Sequence, residues 1–451
     1  MTDAPTASMR EDAAFAKITG RIIPVLFICY IAAFLDRVNV GFAKLQMAGD
    51  LGFSDAVYGF GAGVFFIGYF LFEVPSNIAL RRIGARIWIA RIMITWAIIS
   101  AGFLFTGAMR WGPISQSLGL TDAAFTFYAL RFLLGAAEAG FFPGVILYLT
   151  FWYPAQRRAT MVALFMCAIA VSNIVGSPIS GAIMQFSEGA SGLRGWQWLF
   201  LLEAIPSIVA GVLVLALLPD GPQDARWLDA EDKALVQQRL QEEETRKQSQ
   251  RTAHSLMDAF KDARVWALAL VYFSHNICIY AVNFWMPTII QEFGFASTDY
   301  LRVGLLAMIP WSLAVVAQIY WARHSDRTGE RRWHAVSGLL LALAGLLLLA
   351  FFPHATLIAM AGLSCVTVGI SSYVVVFWSL PTAFLSGAAA AAGIAWINSL
   401  GNLGGYFGPD LIGRVRDASG GSSQAAFLAL AGFALLGAVI ILALPKPKAP
   451  A

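Results

Sequence analysis

The chain has 451 residues, of which 58% are hydrophobic and 13% are charged, and its formal net charge is +4. Soluble domains are much richer in charged residues, so this composition excludes them and predicts a membrane protein that crosses the bilayer many times. The small positive charge reflects loop topology and gives no indication of a nucleic-acid partner.

Apolar runs of about 20 residues, the length needed to cross a bilayer, recur along the whole chain. They predict an all-α fold with twelve transmembrane helices, six on each side of one long polar segment. The predicted spans are 21–45, 56–80, 86–109, 121–149, 159–186, 196–218, 263–290, 302–322, 335–353, 355–382, 387–413 and 424–445.

Lys and Arg residues lie mainly on one side of these spans, with 22 on that side and six on the other. The positive-inside rule therefore predicts that both termini are cytoplasmic. The first 20 residues show no cleavable signal pattern, so the first helix is expected to remain in the mature protein. The predicted segments are an N-terminal tail (1–20), a first six-helix bundle (21–218), a cytoplasmic linker (219–262), a second six-helix bundle (263–445) and a C-terminal tail (446–451).

The first helix carries Asp36, Arg37 and Asn39 beyond its middle. Adjacent side chains on a helix point about 100° apart, so Asp36 and Arg37 cannot pair face to face. At least one of them should therefore point toward another helix or a cavity. The alternative is that both lie at the outer membrane interface.

The second helix supplies Tyr69 and ends in the basic turn 81–86, and the loop 326–332 of the second half carries a similar cluster of charges. Charge pairs at such helix ends are suited to clamping two bundles in one conformation. We therefore predict a gating role for Arg86, Asp326, Arg327 and Arg331. For the neighbouring Arg81 and Arg82, anchoring at the positive side of the membrane explains the charge equally well.

The fourth span, 121–149, contains Arg131 and Glu138 within an otherwise apolar run. A charge near the bilayer midplane costs about 2.5–3.5 kcal/mol on insertion scales, so such residues usually face a bundle interior or a cavity. Seven residues are about two helical turns, which places both side chains on one face. The functional interpretation is a proton or substrate site, and the alternative is an ion pair that fixes helix packing. Pro143 is expected to loosen the helix just after Glu138.

The segment 219–262 is the only long polar stretch and is interpreted as the linker between the two halves. Asp229 is positioned to cap a short amphipathic helix, whose charges are expected to be solvated. The apolar side of that helix would carry Leu235, Val236 and Leu240. All four cysteines lie within apolar runs, so we predict neither a disulfide nor a metal site.

Charges nearly vanish from the spans of the second half, which leaves polar and aromatic side chains as candidates. This difference predicts an asymmetric site, with proton chemistry in the first half and hydrogen bonds to a substrate in the second. We select Tyr69, Trp378, Asn398 and Asn402 as the neutral walls of the pocket. His275, a lone histidine near the start of a helix, is interpreted as a packing residue rather than a titrating one.

Three motifs, Asp36-Arg-Val-Asn-Val-Gly41, Gly135-x-x-Glu138-Ala-x-Phe-x-Pro143 and Trp152-Tyr-Pro154, resemble the anion:cation symporter family of the major facilitator superfamily. Its members include bacterial permeases for tartrate, phthalate, 4-hydroxyphenylacetate and sugar acids, and the resemblance covers essentially the whole chain. It implies a monomer in the bacterial inner membrane whose two bundles rock about a central site and take up a small organic carboxylate with protons.

The resemblance also implies roles for individual residues. It assigns Asp36 and Glu138 to proton coupling and Arg37 and Arg131 to anion binding. Asn398 and Asn402 resemble the asparagine that contacts sugar acids in the family.

Two other classes of function are weighed against this interpretation. An antiporter or exporter is the nearer alternative, because the run Ser172–Gly181 is similar to one found in drug antiporters. A membrane enzyme or a sensor would require a catalytic cluster or a folded cytoplasmic domain. The sequence has no Walker loop or metal-ligand spacing and its linker is too short to bury a core, so we expect neither an enzyme nor a bound cofactor.

Overall fold

The computed structural model describes residues 7–249, 261–384 and 387–445, and every long regular element within these ranges is a helix. The first half contains α1 (Ala7–Leu51), α2 (Asp55–Ile83), α3 (Ala85–Gly102), α4 (Asp122–Glu138), α5 (Phe141–Thr150), α6 (Ala155–Phe186) and α7 (Gly195–Leu217), and α8 (Ala230–Ser249) follows in the linker. The second half contains α9 (Ala263–Gln291), α10 (Tyr300–Thr328), α11 (Arg332–Phe351), α12 (Thr356–Phe377), α13 (Gly387–Asn402), α14 (Gly404–Ala418) and α15 (Gln424–Ala443).

Eleven segments of the described chain are long and apolar enough to cross a membrane, and α4 with α5 counts as one of them. The remaining predicted span, 387–413, is divided into the two shorter helices α13 and α14, which are separated by Leu403. The predicted fold of twelve membrane crossings in two six-helix bundles is confirmed. We call the side where α1 begins and α15 ends the terminal face, and the other side the opposite face.

The fourth crossing is broken directly after Glu138. Ala139 leaves the helical region with ψ 132°, and Gly140 has a left-handed φ of +84°. Glycine adopts such a φ without a steric penalty. Pro143 lies in the first turn of α5, where its missing N–H costs nothing. The predicted interruption is therefore present: Gly140 makes the turn, and Pro143 could not have donated to the Ala139 carbonyl in a continuous helix.

The helices α2 and α4 approach closely because glycines face the neighbouring backbone. A Cβ atom on Gly135 would collide with the carbonyl of Phe65, and one on Gly68 would collide with the carbonyl of Phe132. Small residues allow this kind of backbone contact in membranes, where apolar burial provides no drive between helices. The contact fixes α4, and hence Arg131 and Glu138, against α2.

The two bundles touch most extensively through two pairs of helices, and α1 also packs against α9, where Gly41 lies against the carbonyl of Phe284. One pair is α2 with α14, where Gly59 lies against the carbonyl of Pro409, and the other is α6 with α10. Between α6 and α10, Gln185 accepts a hydrogen bond from the backbone of Leu301 at 3.0 Å. All of these contacts lie in the half of the molecule nearer the opposite face.

The first helix and the linker differ from the prediction at the terminal face. Helix α1 begins at Ala7 rather than near 21, because Phe15 and Ile18 are buried. In the linker, Asp229 Oδ1 accepts a hydrogen bond of 2.7 Å from the Asp232 backbone, which confirms the predicted cap of α8. This N–H holds the pKa of the Asp229 carboxyl below its usual range.

Helix α8 is docked on the first bundle rather than surrounded by water. Its Asp232 side chain is buried and accepts a hydrogen bond of 2.6 Å from Lys17 of α1. Glu243 is also buried and accepts a hydrogen bond of 2.7 Å from the backbone of Ala155 at the start of α6. The predicted solvated face is therefore wrong for these charges, which form ion pairs and hydrogen bonds with the bundle.

We predict that Gly135→Ala destabilises the protein, because the added methyl group must push α2 and α4 apart. Overpacking of this kind costs about 1–3 kcal/mol. Gly432→Ala is the matched control, since Gly432 lies on a helix and a Cβ atom added there would meet no atom within 4 Å. Thermal unfolding in detergent should give a clearly lower Tm for Gly135→Ala only; equal Tm values would contradict the close-packing role.

Candidate functional site

A buried ion pair joins α1 to α4. Arg37 donates a hydrogen bond through Nη2 to Glu138 Oε1, and the two residues are 8% and 2% exposed. Glu138 is the last residue of α4, where the helix dipole disfavours a carboxylate, so the guanidinium neutralises both the side chain and the helix end. Each member would be an uncompensated buried charge without the other.

Arg37 is also surrounded by aromatic rings. Its guanidinium carbon lies 5.7 Å, 5.5 Å and 5.7 Å from the ring centres of Phe34, Phe65 and Tyr69. From the second bundle, the Tyr280 hydroxyl accepts a hydrogen bond of 3.5 Å from Arg37 Nη1. Nε of Arg37 has no hydrogen-bond partner. The arginine thus stands at the contact between the bundles and retains donor capacity.

Arg131 has a different environment, although the sequence grouped it with Glu138. It is fully buried and donates to backbone carbonyls of α2, from Nε to Gly61 at 3.2 Å and from Nη2 to Ala62 at 2.9 Å. Its Nη1 has no partner. Among the ion pairs found within the described residues, Glu138 is joined to Arg37 and none includes Arg131.

Asp36 points away from Arg37, as the 100° step between adjacent residues predicts. Three neutral donors hold its carboxylate: Ser100 at 2.7 Å, Ser207 at 2.5 Å and the indole nitrogen of Trp96 at 2.9 Å. Asp36 is 2% exposed, so the placement at an outer interface is wrong. The residue lies among α1, α3 and α7 in the interior of the first bundle.

The candidates of the second bundle form their own aromatic group. Tyr272 of α9 packs edge to face on Trp378 at 4.9 Å, and Gly401 of α13 lies against the ring of Tyr272. Asn398 and Asn402 flank Gly401 and are half-buried. The structure thus brings Tyr69 to the Arg37 pair and Trp378 to Tyr272, and the helix that carries Asn398 and Asn402 meets Tyr272 through Gly401.

His275 is buried between aromatic rings. It stacks on Tyr272 at 5.8 Å and packs against Tyr373 at 4.7 Å. The interpretation of this residue as part of the core packing agrees with these contacts.

A network of charges closes the opposite face between the bundles. Asp55 at the start of α2 binds Lys44 of α1 at 2.8 Å and Arg416 of α14 at 2.7 Å. Arg416 also binds Glu292 at 2.7 Å, and its guanidinium lies over the ring of Trp285. Lys44 and Arg416 are each 7% exposed in their side chains, so the cations of this network are buried, whereas Glu292 is 46% exposed.

The predicted gating residues at the terminal face do not join the bundles in this conformation. Asp326 in the last turn of α10 and Arg331 just before α11 pair at 2.6 Å within the second bundle. Arg86 and Arg327 are exposed, and the backbone N–H of Arg86 donates to Asp220 at 2.9 Å. The charges that bridge the bundles are at the opposite face, which the sequence analysis did not single out.

The sequence analysis also missed Glu203, a third buried acid of the first bundle. It is 3% exposed, and its Oε1 accepts a hydrogen bond of 2.6 Å from Ser180 of α6. The signal was present, because Glu203 is a single acid inside the apolar run 196–218, as Glu138 is in its own span. The network of Lys44, Asp55 and Arg416 had no such signal, since charges at span ends are common.

Comparisons with a family model, with related sequences and with solved structures agree with one another. The model of the Major Facilitator Superfamily matches residues 26–409. A putative tartrate transporter of Agrobacterium vitis is 50% identical over 97% of this chain and 93% of its own. A quinolone resistance transporter of Acinetobacter baumannii is 40% identical over 91% of this chain and 90% of its own. Among solved structures, a D-xylose-proton symporter has a TM-score of 0.73 at 16% identity and covers 95% of this chain and 98% of that one.

We predict that Asp55→Asn loosens the opposite face, because it removes the charge that holds Lys44 and Arg416 together. Spin labels at the exposed positions Ser117 and Gln424, in a variant without native cysteines, report the separation of the bundles there. Double electron–electron resonance should give a broader distribution with longer distances in Asp55→Asn.

The matched control is Asp50→Asn on the same face. Asp50 binds Arg194 at 2.9 Å within the first bundle, so its removal should leave the distance between the labels unchanged. An identical distribution for wild type and Asp55→Asn would show that the network does not hold the bundles together.

Proposed function

The chain belongs to the major facilitator superfamily, and from that premise we propose that it imports a small organic carboxylate with protons across the bacterial inner membrane. Members of this superfamily are transporters, and this chain is a transporter rather than an enzyme. We assign the terminal face to the cytoplasm, in agreement with the positive-inside bias, and the opposite face to the periplasm. The structure then corresponds to a state that is closed toward the periplasm.

The observation that carries the proposal is the Arg37–Glu138 pair. A guanidinium binds a carboxylate bidentately and holds its charge at every working pH. Arg37 keeps an unpartnered Nε and lies beside Tyr280 of the second bundle, so a substrate bound there would touch both bundles. Arg131 donates from Nε and Nη2 to carbonyls of α2 and keeps only Nη1 unpartnered, so in this proposal it supplies positive potential rather than a direct ligand.

Coupling follows from competition for Arg37. When an incoming carboxylate binds the guanidinium, Glu138 loses its counter-ion in a low-dielectric site and takes up a proton, since a buried unpaired charge is costly. Proton and anion then bind to the same conformation, which symport requires. Asp36 is the second proton carrier in this proposal, because neutral donors surround its carboxylate and it has no cation partner.

The body of the substrate would be held by neutral groups. Tyr69 borders Arg37, and Trp378, Asn398 and Asn402 offer an indole ring and amides from the second bundle. Aromatic faces with a few polar groups are typical of pockets for small molecules. Asp326 with Arg331, and Arg86 with Arg327, remain candidates for a cytoplasmic gate in the state that is closed on that side.

Tartrate is the first substrate to test, because the putative tartrate transporter is similar over nearly the whole chain. A thermal-shift screen with tartrate, phthalate, 4-hydroxyphenylacetate and aldonates should find one that raises Tm through selective binding. Drug export is the second candidate, supported by the similarity to a quinolone resistance transporter and by the run Ser172–Gly181. Quinolone uptake into inverted vesicles, without stabilisation by any carboxylate, would favour export over the proposed import.

We predict that Arg37→Lys loses most substrate binding while the protein still folds. Lysine keeps the charge but replaces a bidentate contact with a point contact, and a hydrogen bond to a charged group contributes roughly 1.5–3 kcal/mol. Calorimetric titration with the carboxylate found in the screen should show at least about a tenfold weaker Kd. Arg194→Lys, on the opposite face, is the control, and wild-type affinity in Arg37→Lys would exclude this assignment.

We predict that Glu138→Gln uncouples transport from protons. Glutamine mimics the protonated acid permanently, so the variant should exchange labelled for unlabelled substrate across proteoliposomes but lose uphill accumulation driven by a pH gradient. Asp36→Asn should lose accumulation as well, and Glu242→Gln in the exposed part of α8 is the control. Accumulation at the wild-type level in both Glu138→Gln and Asp36→Asn would contradict the mechanism.

A further inference from the structure

A second buried polar group lies in the first bundle, away from the Arg37 pair. On α7, Glu203 and Ser207 are four residues apart and share one face. On α1, Asp36 and Asn39 are three apart and also share one face. Ser207 bonds Asp36 at 2.5 Å, and the side chain of Asn39 lies next to the Glu203 carboxyl, so the two polar faces meet.

This group leaves unpartnered atoms in the interior of the bundle. Glu203 Oε2, Asn39 Oδ1 and Asn39 Nδ2 make no hydrogen bond, although the two residues are only 3% and 1% exposed. Unsatisfied buried polar atoms are rare and indicate a missing partner such as a proton, an ion or a water. A carboxylate has only acceptors, so a proton on Oε2 would turn it into a donor, for which the neighbouring amide of Asn39 contains an acceptor oxygen.

Among the described residues, the only charged group that acts on Glu203 is Asp36, another acid. Two other helices contact this pair of acids. Ser180 of α6 donates a hydrogen bond to Glu203, and Ser100 and Trp96 of α3 donate hydrogen bonds to Asp36. Arg37 points away to Glu138. Two carboxylates that act on one another in a low-dielectric core without a cation disfavour the state in which both are ionised.

We propose that Asp36 and Glu203 form a dyad that holds one proton, carried in this conformation by Oε2 of Glu203. The two carboxyl groups accept different numbers of hydrogen bonds, and this difference assigns the proton to Glu203. Asp36 accepts three hydrogen bonds and is therefore the stabilised anion, whereas Glu203 accepts one. Glu203 is thus a proton-binding residue of the transport cycle, an assignment that rests on the proposed proton symport.

A metal cation does not fit the same group. A hard cation takes about six oxygen ligands. Here only Glu203 Oε2 and Asn39 Oδ1 are free oxygens, because the oxygens of Asp36 already accept hydrogen bonds. Binding of sodium is nevertheless one result that an experiment can detect. A Tm that sodium chloride raises over potassium chloride in wild type, and not in Glu203→Gln, would overturn the assignment to a proton.

The first test needs no transport. Glutamine has the shape of a protonated glutamate, so Glu203→Gln should keep the wild-type Tm, whereas Glu203→Ala should lower it. Infrared spectra of the purified wild type at neutral pH should contain a neutral carboxylic-acid band that is missing from Glu203→Gln and present in the control Glu242→Gln. A clearly lower Tm for Glu203→Gln, or an unchanged band, would show that Glu203 is ionised and overturn the proposal.

The second test measures coupling in proteoliposomes with the membrane potential clamped at zero. One proton fewer per substrate lowers the accumulation ratio about tenfold at a pH step of one unit, because one unit is a tenfold difference in proton activity. Glu203→Gln should show this fall, and a wild-type ratio would overturn a role in transport. If the wild type itself does not accumulate substrate, the proposed symport fails, while the infrared band still decides whether Glu203 holds a proton.

Discussion

Charge buried in an apolar interior must be neutralised, and this constraint organises the protein. Arg37 and Glu138 lie on α1 and α4, and each depends on the other because neither reaches water freely. Their meeting depends on backbone geometry, since the break at Gly140 ends α4 at Glu138. It also depends on Gly135, which lets α4 approach α2. Two residues without side chains therefore determine where the charges can pair.

The same constraint acts differently at the two faces. At the opposite face, Asp55 and Arg416 belong to different bundles, so neutralising them requires that the bundles touch. At the terminal face, Asp326 pairs with Arg331 of its own bundle, and Lys17 pairs with Asp232 of the docked α8. These charges find partners within one half of the chain. Among the described residues, the ion pairs that join the two bundles therefore lie at the opposite face.

Much of the fold could be predicted from the sequence, because an apolar run of bilayer length is a local signal. The start of α1 was missed since Phe15 and Ile18 are apolar positions within a polar segment. The residues Arg37 and Glu138 stood out by their chemistry, but their pairing did not, because no local pattern relates positions that are about a hundred residues apart. The division of roles between Arg37 and Arg131 likewise depends on which side chain meets the carbonyls of α2, and that is a matter of tertiary packing.

The charges at the opposite face have one further consequence. Lys44, Asp55, Glu292 and Arg416 contribute two positive and two negative charges, so the cluster is neutral as a whole. Moving one elementary charge through a membrane potential is worth about 2.3 kcal/mol per 100 mV. A neutral cluster that separates into balanced halves moves little net charge through that field. The contact between the bundles at this face is therefore nearly insensitive to the voltage across the membrane.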